Sequence, residues 1–416
     1  MSVIRGVRLN IIDAAVVFFL LWFGSYAYLY AFQIGGPKPL YSYFLLLGTV
    51  SAYALYRSAK HRPLIPVADQ WMAMLFGWLA VYFVYGSFQF LRSTQDQWAL
   101  QDFITLGEMV LLTGAFVGLL AEARRVDIAS AAFALLAAVG TAVNLWDFFI
   151  PTFSKVPGRA AGLYVNPGIA GSFIALAMVA GITQVPHRLR WFYLLLCGTG
   201  VVVTFSRESW IIWGLAVLGL AWQGYLNKGR QRWLVLIIGG AVGLGVVVGL
   251  FSGFLGDIVA DSSLSSYLTP NTKVRLGIGA SSLSDDSAQL RENLIYGSLE
   301  LASRHPWLGY GLGEAVHWDY AVGTHNMYLL FLVQGGVTGL FLYLSLMALL
   351  WRASAGVGKL LMLQIAVSSL FSHNHLDQPA IVLIMAFIVA GGAAARAKRT
   401  PATAVAHAQA YPSAYS

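Results

Sequence analysis

Arg207 stands in Thr204-Phe205-Ser206-Arg207-Glu208-Ser209-Trp210, between two apolar runs with almost no link. A guanidinium at that depth costs roughly a few kcal/mol unless it snorkels to the interface or meets an anion. Its uses are therefore a salt bridge to the adjacent Glu208, snorkelling, or anion binding. For the last, arginine suits phosphate, because its planar fork donates two parallel hydrogen bonds and stays charged. Arg159 lies in the glycine-rich Pro157-Gly158-Arg159-Ala160-Ala161-Gly162, where glycines allow close backbone approach to a ligand. It reads equally as an ordinary solvated loop arginine. His325 opens an apolar run in Thr324-His325-Asn326-Met327. The positive end of a helix there disfavours imidazolium, and a neutral imidazole near pH 7 is a competent general base. The alternative is an interfacial histidine that only packs.

Two further clusters carry weaker signals. His373-Asn374-His375-Leu376-Asp377 has metal-ligand residue types, but local density does not make a metal site, and none is expected. Gly309-Tyr310-Gly311-Leu312-Gly313 resembles a phosphate loop, yet no lysine-serine pair follows and no strand precedes it. A tight turn returning the chain to an apolar run is the better reading.

The elements that must hold these residues follow from composition. The chain has 416 residues, 58% apolar and only 11% charged, against roughly 25% charged in soluble domains. Apolar runs approach the ~20 residues needed to cross a bilayer. The expectation is an all-α polytopic membrane protein of about twelve spans. They fall near 11–32, 40–57, 69–91, 102–122, 127–149, 167–185, 190–205, 208–225, 233–254, 325–350, 357–371 and 379–395. Residues 1–254 thus hold nine spans, 255–324 form one large loop, and 325–395 hold the last three. The tail 396–416 is small, polar and proline-containing, and reads as disordered. Within the large loop, Leu290–Ala302 has apolar residues at helical spacing, suggesting an amphipathic helix over the bundle that carries Arg291.

Loop charges set the orientation. One set of links carries Arg5 and Arg8; Arg57, Lys60 and Arg62; Arg124 and Arg125; Arg188 and Arg190; Lys228, Arg230 and Arg232; Arg352 and Lys359; and the tail's Arg396, Lys398 and Arg399. Each has at least two basic residues, so these links face inward and both termini are cytoplasmic. Arg159, Arg207, Arg291 and His325 then share the outer side. The net charge of +8 reflects these topological charges, which excludes nucleic acid as a partner and leaves membrane lipids. Cys197, the single cysteine, sits in an apolar run as a small hydrophobe, and no cleavable signal peptide is expected.

Ser206-Arg207 after a span, a large outward loop with Arg291 ahead of His305-Pro306-Trp307-Leu308-Gly309-Tyr310-Gly311, and His325-Asn326 opening a helix that runs to Gly335-Gly336 occur in that order. Together they resemble the superfamily of O-antigen ligases, O-antigen polymerases and bacterial protein O-oligosaccharyltransferases. The resemblance implies a GT-C-like fold in the bacterial inner membrane and a periplasmic site. It also implies glycosyl transfer from an undecaprenyl-diphosphate-linked glycan. On that basis Arg207 and Arg291, with Arg159, are assigned to the diphosphate and His325 to deprotonation of the acceptor, with Arg207 also counted catalytic. Asn326, His373 and His375 are assigned to their support. Inversion without a metal or other cofactor is implied, and the sequence contains no Asp-x-Asp. Length, helix count and the lack of an appended domain resemble the ligases best, with lipid A–core as acceptor. Polymerase and protein transferase are the alternatives. A transporter is the rival class, with Glu108 and Asp147 as its coupling acids. Against it, the long link lies outside between spans nine and ten.

Overall fold

The computed structural model describes residues 9–61, 69–226, 269, 272–273, 286–314, 317 and 323–399, and every long regular element among them is a helix. In chain order these are α1 (Ile11–Gly24), α2 (Ala27–Gln33), α3 (Pro39–Ala59), α4 (Gln70–Arg92), α5 (Gln97–Leu119), α6 (Ala123–Phe149) and α7 (Pro167–Gly181). They continue with α8 (Arg190–Val202), α9 (Arg207–Trp222), α10 (Asp286–Arg304), α11 (Met327–Ala353), α12 (Val357–Ser368) and α13 (Pro379–Arg399). The expected span at 233–254, the polar start of the large loop and the tail beyond 399 lie outside the described residues.

The helices start where the sequence supplies caps. Asp69, Asp96, Asn166, Ser206 and Asn326 each accept backbone N–H bonds from the first turn of α4, α5, α7, α9 and α11. Pro39 and Pro167 occupy first helical positions, where a missing N–H costs nothing. Six helices among the described residues are long and apolar enough to cross a bilayer, or seven if α1 and α2, bent by 62°, form one span. The bend follows from Tyr26, whose φ of 62° interrupts the helix. The other expected spans on described residues are also helices, but α8, α9 and α12 have only 13, 16 and 12 residues. The amphipathic segment predicted at 290–302 lies within α10, which packs on α11.

Two helices form the centre. Of the central stretches of α7 and α13, 78% and 72% is buried, against 28–39% for α4, α5, α6 and α11. Both are apolar on every face, as a helix enclosed by others must be. α7 packs on α6, α8, α9 and α12, and its Gly171 lets α9 approach so closely that a Cβ there would lie 2.6 Å from Ser209. That contact fixes the start of α9 beside the start of α7. On the outside, Phe44, Leu55, Val84 and Leu91 on α3 and α4 are exposed, as lipid-facing side chains would be. At the links assigned inward, Arg57, Arg124 and Arg125 pair with Glu122 and Asp13.

α11 is broken at Gly335-Gly336, and the break explains the Gly309–Gly313 motif as more than a turn. Gly336 takes φ 60°, ψ −158°, a conformation essentially reserved for glycine. The helical bonds from Val337 and Thr338 are replaced by bonds to Pro306 O and Trp307 O. The carbonyls left behind, Val333 O and Gln334 O, accept from Tyr310 N and Gly311 N. His305–Gly311 therefore inserts into the helix and satisfies four of the groups the break exposes, while the Tyr85 hydroxyl donates to Gly335 O, as hydrocarbon demands. Arg92 and Gln89 hold the inserted loop by donating to Leu308 O, and Arg92 also donates to Gly309 O.

Candidate active site

Three helices begin at one place. The N-termini of α7, α9 and α13 open onto a cavity of about 570 Å³, whose wall includes Asn166, Ser206 and Gln378. Helix starts present unpaired N–H groups and a positive dipole end, so the cavity favours anions before any side chain is counted. Arg159, Arg207, Arg291, His325, His373 and His375 all line it. The sequence placed these residues on four separate links, and the fold brings them to one wall.

Arg159 is held by a fold-back of the loop after α6. Asp147 accepts from the backbone N–H of Thr152, Phe153 and Ser154 with one oxygen and from Ala161 and Gly162 with the other. Both carboxylate oxygens are thus engaged in holding the loop, a structural use for the residue that a transporter would need as a coupling acid. Arg159 Nε then donates to Thr204 O at 2.9 Å, and Ala160 N to Val203 O. Arg207 is the first residue of α9, half-buried behind the Ser206 cap. Its neighbour Glu208 turns to Ser368, which donates to it at 2.6 Å. Arg291, on α10, is exposed and makes no hydrogen bond or ion pair with a described residue.

His325 lies one residue before the Asn326 cap rather than in the helix itself, with φ 50°. A histidine in the left-handed region is strained by roughly 1–3 kcal/mol and persists only where its surroundings impose it. They do so here: Met327 N bonds to Ser369 O, Asn326 Nδ2 to Leu370 O, and Thr324 Oγ1 to Asn326 O. Asn326 is thus a cap and tether that fixes His325, and its own side chain does not line the cavity. The pKa of His325 is below the usual histidine value, first because of burial and then because of the Arg291 charge. The shift has the direction expected from the sequence, and its causes here are burial and Arg291.

His325 meets His373 edge-to-face, with ring centroids 5.1 Å apart. Burial, then the charge of His325, pulls the His373 pKa down to about 4. His375 Nε2 contacts Ser368 Oγ at 2.8 Å, which links it to Glu208. Burial, then His373, brings its pKa to about 4 as well. No group of three or more metal-ligand side chains gathers among the described residues. Asp377 faces a second cavity of about 160 Å³ on the far side of His373. Its side chain is exposed to that half-open space, and desolvation by its surroundings followed by the charge of Asp102 raises its pKa to about 7.

The chemical capacity of the main cavity is clear from its parts. Three guanidinium groups and three helix starts can receive a diphosphate, and an imidazole whose pKa is lowered faces the same space. Sequence reasoning missed Ser368, Gln378 and the clamp role of Asp147. Only the clamp had a signal, an aspartate at the end of an apolar run just before a glycine-rich loop. No curated protein matches the chain. Residues 192–344 match the family model described as O-antigen ligase, so the stretch that supplies Arg207, Arg291, His325 and the broken α11 is similar to the O-antigen ligases, as its motifs suggest.

Proposed function

We propose that the chain is an O-antigen ligase of the bacterial inner membrane, moving a glycan from undecaprenyl diphosphate to lipid A–core on the periplasmic face. The observation that carries the reading is the convergence of Arg159, Arg207, Arg291 and His325 on one cavity. Helices at the expected positions on the described residues, six or seven of them long and apolar enough to cross a bilayer, support the membrane setting, within which we place twelve GT-C-like spans with both ends cytoplasmic.

The step balances without a metal or other cofactor. An acceptor hydroxyl loses its proton to the neutral His325 imidazole as its oxygen attacks the anomeric carbon. The bond from that carbon to the diphosphate oxygen breaks, and undecaprenyl diphosphate leaves with the electron pair. Attack opposite the leaving group inverts the anomeric centre. The leaving group needs stabilisation of growing negative charge more than protonation, and preorganised arginines and helix N–H groups provide it at little reorganisation cost. Arg207 serves here both to bind the diphosphate and to favour its departure. His373 and His375, kept neutral, back the base without adding positive charge behind it.

The test is complementation of a ligase-deficient strain of the source organism or a close relative, read as the lipopolysaccharide ladder. Long chains on lipid A–core are expected. Protein present in the membrane with no ladder would refute the ligase reading. Longer lipid-linked chains would then indicate a polymerase, and glycosylated proteins a protein transferase.

A further inference from the structure

The 160 Å³ cavity shares only its His373 wall with the arginine cavity, and the proposed mechanism so far makes no use of it. Its size bounds the ligand, since a cavity of roughly 150 Å³ admits one benzene ring, so a ring bearing hydroxyls must leave part of itself outside this half-open space. Unlike a dry apolar void, it is lined by Tyr82, Asp102, Gln334 and Asp377, with Leu330 and Phe331 on the apolar side. Much of this polar wall is already fixed. One oxygen of Asp102 accepts from Gly313 N and from Gln334 Nε2.

The remainder is unspent. The exposed Asp377 carboxylate and the half-buried Tyr82 hydroxyl make no hydrogen bond with any described residue, which leaves both open to a ligand. The buried His373 Nδ1 has no partner either, and a buried polar group is normally paired, so this one calls for an explanation. Together they offer several acceptors and one hydroxyl around a space the size of a six-membered ring. A ligand that answers this inventory carries several O–H or N–H donors on a ring with an apolar face. That describes a pyranose. A lone cation would use the carboxylates but would leave most of the volume and the apolar side unfilled. Two carboxylates also disfavour an anionic ring.

We propose that this second cavity is the acceptor-sugar subsite, holding one neutral or amino-substituted hexose ring on Asp377, Asp102 and Tyr82 and presenting its hydroxyl past His373 to His325. The assignment rests on the transferase reading above. It gives that reading a geometry, in which donor diphosphate and acceptor ring occupy separate chambers and meet at the two histidines.

The experiment uses the purified full-length protein in detergent and has two independent readouts. Saturation-transfer NMR with glucose, galactose, glucosamine and glucuronic acid measures binding without turnover. Signal from one or more of the first three, none from glucuronic acid, and loss of signal in Leu330→Trp, which fills the cavity, are expected. Steady-state transfer measures the second readout: Asp377→Asn raises the acceptor KM about tenfold, the effect of one lost hydrogen bond to a charged group, with donor KM unchanged. Tyr82→Phe, which removes a single oxygen and is the variant least able to disturb folding, gives a severalfold rise in the same constant. An unchanged acceptor KM in Tyr82→Phe and Asp377→Asn overturns the subsite even if the protein is a ligase. Sugar binding that survives in a folded Leu330→Trp variant does the same, as does calcium or magnesium binding lost in Asp377→Asn with no sugar signal. Sugar binding that Leu330→Trp abolishes, in a protein without transfer to any acceptor, leaves the sugar pocket standing and defeats the transferase reading alone.

Discussion

Replacing His325 separates chemistry from architecture, provided the substitute respects the backbone. At φ 50° an alanine pays about 1–2 kcal/mol for the left-handed region, whereas asparagine visits it routinely. His325→Asn therefore keeps the turn between Thr324 and the α11 cap while removing the base. Loss of a general base costs about 10²–10⁴-fold, or roughly 2.7–5.4 kcal/mol of barrier at 1.36 kcal/mol per decade. In a reconstituted transfer assay, kcat of His325→Asn should fall by at least about a hundredfold, with a melting temperature close to wild type. His325→Ala should lose similar activity and in addition melt earlier. The wild-type rate should rise with pH and level off at or below the ordinary histidine value of about 6.5, because the folded pKa is lowered and the imidazole is already free there. A His325→Asn enzyme within tenfold of wild type would refute the assignment of this ring as the base. Equal melting of the alanine and asparagine variants would refute the strain argument.

Arg207→Lys keeps the charge but loses the bidentate fork; transfer should fall by more than about tenfold at one hydrogen bond's worth of binding, and full activity with lysine would reduce Arg207 to an anchor. Gly336→Ala places a Cβ 2.4 Å from the Trp307 carbonyl carbon in a glycine-only conformation, so the inserted loop should be expelled and the protein should melt well below wild type in detergent. Arg291→Gln removes the charge that helps hold the His325 pKa down, so the acid limb of kcat/KM should move to higher pH, and a limb that stays put would leave burial as the whole cause.

The outline of the fold was legible because its signals are local. Apolar run length marked the helices, caps such as Asn166 and Ser206 stood where they begin, and loop charge put the future site residues on one side. The grouping of Arg159, Arg207, Arg291 and His325 could be inferred only as a shared side of the membrane. Their convergence depends on tertiary facts such as the close approach at Gly171 and the Asp147 clamp, in which one carboxylate meets N–H groups up to fifteen residues away. Both glycine motifs, Gly309–Gly313 and Gly335-Gly336, were visible, but their meaning lies in the four exchanged hydrogen bonds between them. No periodicity encodes such a reciprocal pairing. His325 shows the same limit in electrostatics: the direction of its shift followed from position along the chain, while its causes, burial and Arg291, come from the folded neighbourhood.

That electrostatic neighbourhood also bears on the order of events. Arg291 disfavours protonation of His325 and also acts on Glu208 across the same cavity, so in the free protein its charge is shared between the histidine and that carboxyl. An anion bound at the arginines offsets that charge. The proton affinity of His325 then rises, and by linkage the protonated histidine and the diphosphate favour one another. If His325 is the base of the proposed transfer, it would thus be weakest when the arginine cavity is empty and strongest when the donor diphosphate fills it. Once the proton has been taken, the imidazolium faces a leaving diphosphate whose charge is growing, so the step that charges the ring also creates the anion that stabilises it. A lysine or metal could supply the positive charge. An arginine on the exposed face of α10 can in addition bridge a spread diphosphate while remaining within electrostatic reach of the ring. On this account burial sets most of the His325 shift and Arg291 adds the part that a bound anion can reverse.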